Sequence, residues 1–291
     1  MTSLLVMCLK TGHVFEELWE DGYPMLNVGI VGLGTIGKVV AKALDDGMSG
    51  LQLNGIASGR REKAQSFLST LTTSVEIMSI EEVAESCDII VDCAPKAVFA
   101  EIANATICRG KILVTVSGAG ILANPDIEKQ AADNKARIIL ATGALLGLDA
   151  VRAAAEGTIN SVRMVTRKPP NALQGAPHIV ENNINLEGLN GATCVFKGSA
   201  REGAAAFPAN VNVAAALGLA GIGADLTQLE VWADPHLDRN THSIEVDADS
   251  ASFSFSIQNV QSPENPGTGK ITALSVITCL RGLTQPLKVG S

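Results

Sequence analysis

No apolar run in this 291-residue chain approaches the length needed to span a bilayer, so no membrane-crossing segment is expected. The stretch Ser3–Leu9 is apolar but lacks the basic flank and the cleavage site of a secretory signal. Six cysteines (Cys8, Cys87, Cys93, Cys108, Cys194 and Cys279) are scattered with no CxxC pair and no zinc-like spacing, so no metal site is expected and a reducing cytoplasm fits best. Positive charge is short: 30 acidic residues against 22 basic ones leave a net charge of −8. The long-range field therefore repels nucleic acid and anionic membrane surfaces, which points to small molecules as partners. No internal repeat or low-complexity segment interrupts a composition that is 46% hydrophobic and 18% charged, that of a folded chain long enough for two domains.

What is present begins with a motif. Leu26–Val31 runs straight into Gly32-Leu33-Gly34-Thr35-Ile36-Gly37, a strand feeding a GxGxxG turn that opens a helix. Gly32 allows the tight turn, Gly34 leaves no side chain between backbone and a phosphate, and Gly37 lets helix and strand approach. The helix start at Thr35 and Ile36 supplies N–H donors and a partial positive charge for a pyrophosphate. Glycines also mark ordinary turns, so the context has to carry the reading.

That context is an alternation of strand-like and helix-like stretches from Met25 to about Ala141. Strands are predicted at Leu26–Val31, Leu51–Ala57, Ile89–Cys93, Ile112–Val116 and Ile138–Ala141, with a weaker one at Val75–Met78. Their unbroken apolar character predicts burial on both faces, hence a doubly wound parallel α/β sheet. After a helix at Leu148–Glu156 the pattern changes. Ser161–Thr166, Thr193–Lys197, Gln228–Ala233, His242–Val246 and Ser252–Ile257 predict a second, mostly antiparallel sheet. In the last of these, Phe253, Phe255 and Ile257 alternate with serines. Helices are expected at Pro208–Leu219 and Lys270–Leu283. The domains expected are therefore a dinucleotide-binding unit at 25–141, to which the end of the chain, 265–291, returns, and a substrate and dimerisation unit at 142–264. Residues 1–24 match none of this pattern and are assigned no function.

Nucleotide choice is usually made at the end of the second strand, where an acidic residue accepts the ribose hydroxyls of NAD. Here the chain reads Ala57-Ser58-Gly59-Arg60-Arg61. With no carboxylate to repel a 2′-phosphate, Ser58, Arg60 and Arg61 suit NADP at least as well as NAD, unless the arginines merely solvate a helix start. Asp92-Cys93-Ala94-Pro95 and Val116-Ser117-Gly118 end the next strands, where small residues such as Ala94 and Ser117 leave room for a nicotinamide. Cys93 has no neighbour in sequence that would activate it as a nucleophile. In the second half, Asp234–His242 is unusually polar. His242 leads from that loop into a strand, placed either to face a cleft as a proton shuttle or to serve as a structural histidine, and His236 has the weaker case.

With Phe207–Ala214, Ala233-Asp234-Pro235, Arg239-Asn240-Thr241-His242 and Glu264-Asn265-Pro266 added to the glycine turn, the chain from about Met25 to Leu283 resembles the L-aspartate dehydrogenase family. That resemblance implies a Rossmann domain joined to an α+β substrate domain of the dihydrodipicolinate-reductase type. It implies homodimers or higher homo-oligomers, and oxidation of L-aspartate by NAD or NADP to iminoaspartate, which hydrolyses to oxaloacetate and ammonia or feeds NAD biosynthesis. It also implies that His242 is the active-site histidine and that the nicotinamide cofactor is contacted by an alanine of Thr142-Gly143-Ala144-Leu145, assigned to Ala144, and by one of the pair Asn210 and Asn212, assigned to Asn212. For the two substrate carboxylates, Arg163, Arg167, Lys168 and Arg239 are the basic candidates. Lys168 comes first because it ends a strand before Pro169-Pro170, and Thr166, Asn240 and Thr241 are polar donors beside it. Two other readings share the architecture: an imine reductase of the dihydrodipicolinate type, whose basic, histidine-rich loop is not found here, and an NADP-binding sensor without chemistry.

Overall fold

The computed structural model describes residues 25–208, 212–262 and 264–290; the amino-terminal extension and Asn210 lie outside the described residues. The first half of the chain alternates strand and helix in order: β1 (Leu26–Val31), α1 (Thr35–Asp45), β2 (Leu51–Ala57), α2 (Arg61–Leu68), β3 (Glu76–Met78), α3 (Ile80–Ser86), β4 (Ile89–Asp92), α4 (Phe99–Ile107), β5 (Ile112–Thr115), α5 (Gly118–Leu122), α6 (Ile127–Asp133) and β6 (Arg137–Leu140). The six strands lie parallel in the order β3-β2-β1-β4-β5-β6. This is the Rossmann order, and its direction reverses between β1 and β4, so a crevice opens there at the carboxyl edge. Val28, Ile30, Ile89, Ile90 and Val91 are fully or almost fully buried, which is why these strands read as continuous apolar runs.

The second half contributes α7 (Leu148–Ala155), β7 (Ile159–Lys168), α8 (Pro177–Glu181), β8 (Thr193–Ser199), α9 (Ala200–Ala206), α10 (Asn212–Ala220), β9 (Gln228–Ala233), β10 (Thr241–Ala248), β11 (Ser252–Gln258), β12 (Gln261–Ser262), β13 (Asn265–Gly269) and α11 (Lys270–Thr284). Five of these strands form a sheet ordered β11-β10-β7-β9-β8. The expectation of a mostly antiparallel sheet needs one correction, because the central pair β7 and β9 is parallel. The chain leaves β7, passes through α8, β8, α9 and α10, and returns along the same direction, a crossover that a parallel pair requires. Along β7 and β10 every second residue is buried: Val162, Met164, Thr166 and Lys168 on one strand, His242, Ile244 and Val246 on the other. Their apolar members form a core with Leu148 and Val151 of α7, Ala200 of α9, and Ala214 and Leu217 of α10.

Two contacts bring the halves together around the crevice. The Asn212 side-chain oxygen at the start of α10 accepts from the Ala119 N–H in α5 at 3.2 Å. The carboxyl-terminal helix α11 lays Val276 and Leu280 into the core beneath α1 and β1. No helix among the described residues is long and apolar enough to cross a membrane.

Candidate active site

The glycine turn is built as a cradle for a pyrophosphate. Gly32 has φ +99°, and a Cβ there would stand 2.6 Å from the Cys93 carbonyl oxygen, so the turn needs both its left-handed backbone and its lack of a side chain. A Cβ on Gly37 would collide with the Gly32 carbonyl oxygen. At Gly34, by contrast, a Cβ would meet nothing and project into open space. Gly34 caps α1, no side chain bonds to that cap, and the first turn carries no acidic residue. The N–H groups and the dipole of α1 therefore suit the pyrophosphate of a dinucleotide. Alanine at Gly37 would gain about 1 kcal/mol of helix propensity, but the overpacking against Gly32 costs about 1–3 kcal/mol. Gly37→Ala is therefore expected to lower the thermal midpoint in a melting experiment and to weaken nucleotide binding.

Ser58, Arg60 and Arg61 follow β2, whose last residue pairs with the last residue of β1, so they flank the glycine turn. The Ser58 hydroxyl accepts from the Arg60 N–H at 3.4 Å, and Arg61 reaches the Ile77 carbonyl at 3.5 Å. At the end of β4, buried Asp92 accepts from the Thr115 hydroxyl at 2.7 Å and from the Ala94 N–H at 3.1 Å. Burial raises the Asp92 carboxyl above the ordinary carboxylate range. This carboxyl ties the β4 and β5 loops together, and Ser117 is buried behind them. Burial likewise pushes the Cys93 thiol up, which holds it as an unreactive thiol.

An open cleft lies between the two halves. Ile36, Val116 and the loop Ala141–Ala144 line it from the nucleotide side; Lys168, Asn212, Asn240 and His242 line it from the other, joined by Asn259, Thr268, Gly269 and Thr272. The Ala144 loop is held twice, by the Gly143 N–H on the Ser275 hydroxyl at 3.0 Å and by the Asn259 amide on the Ala144 carbonyl at 3.0 Å.

His242 is 3% exposed, and its Nδ1 stands 3.1 Å from the Thr166 hydroxyl, its partner across the β10–β7 ladder. Burial, with a smaller push from the Lys168 ammonium, brings its pKa down to about 3. The imidazole is therefore neutral at physiological pH. Lys168 is also 3% exposed, and burial alone brings its pKa down to about 8. Of the other basic candidates, Arg163 pairs with Glu230 and Glu245, Arg167 with Asp234, and Arg239 with Asp238, all away from the cleft lining.

Thr166 and Thr241 stand just behind the residues that line the cleft, and the Thr166 hydroxyl is 3.1 Å from His242 Nδ1. His236 is exposed in its loop. Asn259, Thr268, Gly269 and Thr272 were not anticipated. A signal for Asn259 does exist: it continues the apolar register Phe253, Phe255, Ile257 of β11 with an amide, a polar group placed where burial is expected.

An L-aspartate dehydrogenase from Bradyrhizobium diazoefficiens is 51% identical over 266 residues, covering 91% of this chain and 94% of that protein. The chain belongs to the aspartate dehydrogenase family. Another member of that family, L-aspartate dehydrogenase 3 of Bordetella bronchiseptica, is 45% identical over 91% of this chain and 98% of its own length. The aspartate dehydrogenase C-terminal domain matches residues 149–283, and the NAD-binding domain of homoserine dehydrogenase matches residues 32–141. The crystal structure of aspartate dehydrogenase from Thermotoga maritima shares the fold, with a TM-score of 0.70 at 24% identity over 91% of this chain and 99% of that one.

Proposed function

We infer that the protein is an NAD(P)-dependent L-aspartate dehydrogenase, with L-aspartate and iminoaspartate as its substrate and product. The observation that carries this reading is the pairing of a neutral, buried imidazole with a buried lysine on one wall of a cleft whose other wall is the carboxyl edge of a Rossmann sheet. When bound, the oxidised nicotinamide supplies the acceptor for a hydride leaving the substrate α-carbon. The residues of this chain do the rest.

Oxidation of an amine needs its nitrogen lone pair, so the substrate ammonium must first lose a proton. His242 is the base: its Nδ1 is within hydrogen-bond distance of the Thr166 hydroxyl, and in the tautomer that donates Nδ1–H there, Nε2 carries the lone pair that takes the proton. Once that proton has passed on to solvent, the same nitrogen takes a proton from the water that adds to the iminoaspartate carbon, and ammonia leaves to give oxaloacetate. Lys168, cationic below about pH 8, pairs with a substrate carboxylate inside a low-dielectric wall, where such a pair is stronger than in water. Ala144 and Asn212 line the nicotinamide end. The Asn212 oxygen is already engaged by Ala119, which leaves its amide N–H groups for the cleft.

Ser58, Arg60 and Arg61 beside the glycine turn suit the 2′-phosphate of NADP, so NADP is accepted at least as well as NAD. Arg60→Ala combined with Arg61→Ala is expected to raise the KM for NADP by about tenfold or more, the loss of charged hydrogen bonds, and to leave the KM for NAD unchanged. Steady-state kinetics with each nucleotide checks this. The protein acts as a cytoplasmic homodimer or higher homo-oligomer. The reading itself is tested by adding L-aspartate and either nucleotide to the purified protein. Reduced nicotinamide should accumulate, and its failure to appear with both nucleotides would refute the assignment.

A further inference from the structure

Three buried side-chain oxygens have no hydrogen-bond partner among the described residues: Asn240 Oδ1, Thr241 Oγ1 and Asn259 Oδ1. Two of them belong to residues that line the cleft. Thr241 pairs with Gln258 across β10 and β11 and with Arg167 across β10 and β7. One residue further on, Lys168, Asn240 and Asn259 form a row across the ends of three adjacent strands, and the Asn259 N–H donates to the Asn240 carbonyl at 2.9 Å. Two residues along, on the same face of the sheet, stand Thr166, His242 and Ile257. Asn240 is 6% exposed and Asn259 3%.

The Asn259 amide is oriented by its neighbour. Its Nδ2 donates to the Ala144 carbonyl, and a flipped amide would set two oxygens against each other there. Its oxygen lies beside Gly269, where a Cβ would stand 3.1 Å away, so only a glycine fits against it. Buried acceptors left without donors are rare in folded proteins, and two of them beside one cleft call for a ligand that brings donors.

We propose that Asn240 and Asn259 are an acceptor pair for the substrate's amino nitrogen, and that this pair selects an amino acid over the hydroxy acid of the same skeleton. The proposal rests on the dehydrogenase reading above. A carboxylate brings no donor, and a hydroxyl brings one. A neutral amine brings two. As the α-carbon releases its hydride, the nitrogen lone pair closes the C=N bond, and the nitrogen becomes cationic while keeping both N–H groups. Both amide oxygens stay satisfied, and their attraction grows as that charge develops, which stabilises the transition state more than the ground state. An alcohol on the same path loses its only donor proton and ends as a carbonyl oxygen facing two acceptors.

The test uses the full-length protein with nucleotide and compares L-aspartate, L-malate and succinate. Asn240→Ala and Asn259→Ala should each lower kcat/KM for L-aspartate by about tenfold or more, the loss of a hydrogen bond to a charged group, with a narrower preference over L-malate. The inhibition constant of succinate, which has the carboxylates and no amine, should stay within about twofold, since no acceptor contact is lost. Asn240→Asp keeps an acceptor and should retain the preference for L-aspartate over succinate. If succinate weakens in step with L-aspartate, or if neither alanine variant changes the aspartate-to-malate ratio, the pair does not read the amine. A wild-type protein that reduces no nicotinamide with L-aspartate would overturn the dehydrogenase reading and this proposal with it.

Discussion

His242→Ala is expected to lower kcat with L-aspartate by about 10²–10⁴-fold, the usual contribution of a positioned general base, while the Kd for NAD or NADP stays unchanged. The separation follows from geometry. In the proposed arrangement the nucleotide is held at the glycine turn and the β2 loop, which belong to the Rossmann half, whereas His242 stands on β10 of the second sheet. The imidazole is held by the β10–β7 ladder and by Thr166, so its removal leaves the Rossmann sheet intact. The pH profile carries a second signature. With its pKa depressed to about 3 by burial, His242 is deprotonated across the neutral range, so kcat should show no acid limb near the ordinary imidazole value of 6.5. Fluorescence titration of nucleotide and steady-state rates across pH measure both effects; wild-type turnover in the variant would refute the base assignment.

Lys168→Met is expected to raise the KM for L-aspartate by about 10- to 100-fold, the range for lost charge-assisted hydrogen bonds, with little change in the nucleotide KM. Methionine has similar length and no charge, so the packing at the end of β7 survives. The sign of the pH effect on binding is fixed by the depressed pKa. Succinate, which has no titrating amine, should bind well below about pH 8 and progressively more weakly above it, as the ammonium loses its proton. Stability moves the other way. Between about 8 and the ordinary lysine value of 10.5 the unfolded chain holds the proton that the folded chain has released, so folding stability rises with pH in that window. Lys168→Met removes that rise, which denaturant titrations at the two ends of the window would reveal.

The Rossmann half was the most legible part because its signals are local. A buried parallel strand is an apolar run, and the GxGxxG turn states its own backbone requirement at Gly32 and Gly37. The second half was legible as elements and less so as a sheet. Nothing in Gln228–Ala233 reveals that it runs parallel to β7, since direction is set by a crossover of some sixty intervening residues rather than by any residue of the strand.

At the site, His242 and Lys168 stand out as polar residues at the buried ends of apolar alternations, and Asn259 obeys the same rule at the end of β11. Its partner was hidden because it comes from elsewhere in the chain: the Ala144 carbonyl lies 115 residues away in sequence. Thr166 shows the limit of reading by residue type. A hydroxyl on that strand suits a polar donor, and only the register that sets it opposite His242 reveals its contact with the imidazole.

The central claim is that this cleft moves a hydride from the α-carbon of L-aspartate to a nicotinamide, and isotopic transfer tests it most directly. Incubation of the purified protein with L-aspartate deuterated at the α-carbon and oxidised NAD or NADP should place deuterium at C4 of the reduced nicotinamide. Reduced nucleotide without deuterium, or deuterium lost to solvent before any reduction, would contradict the account.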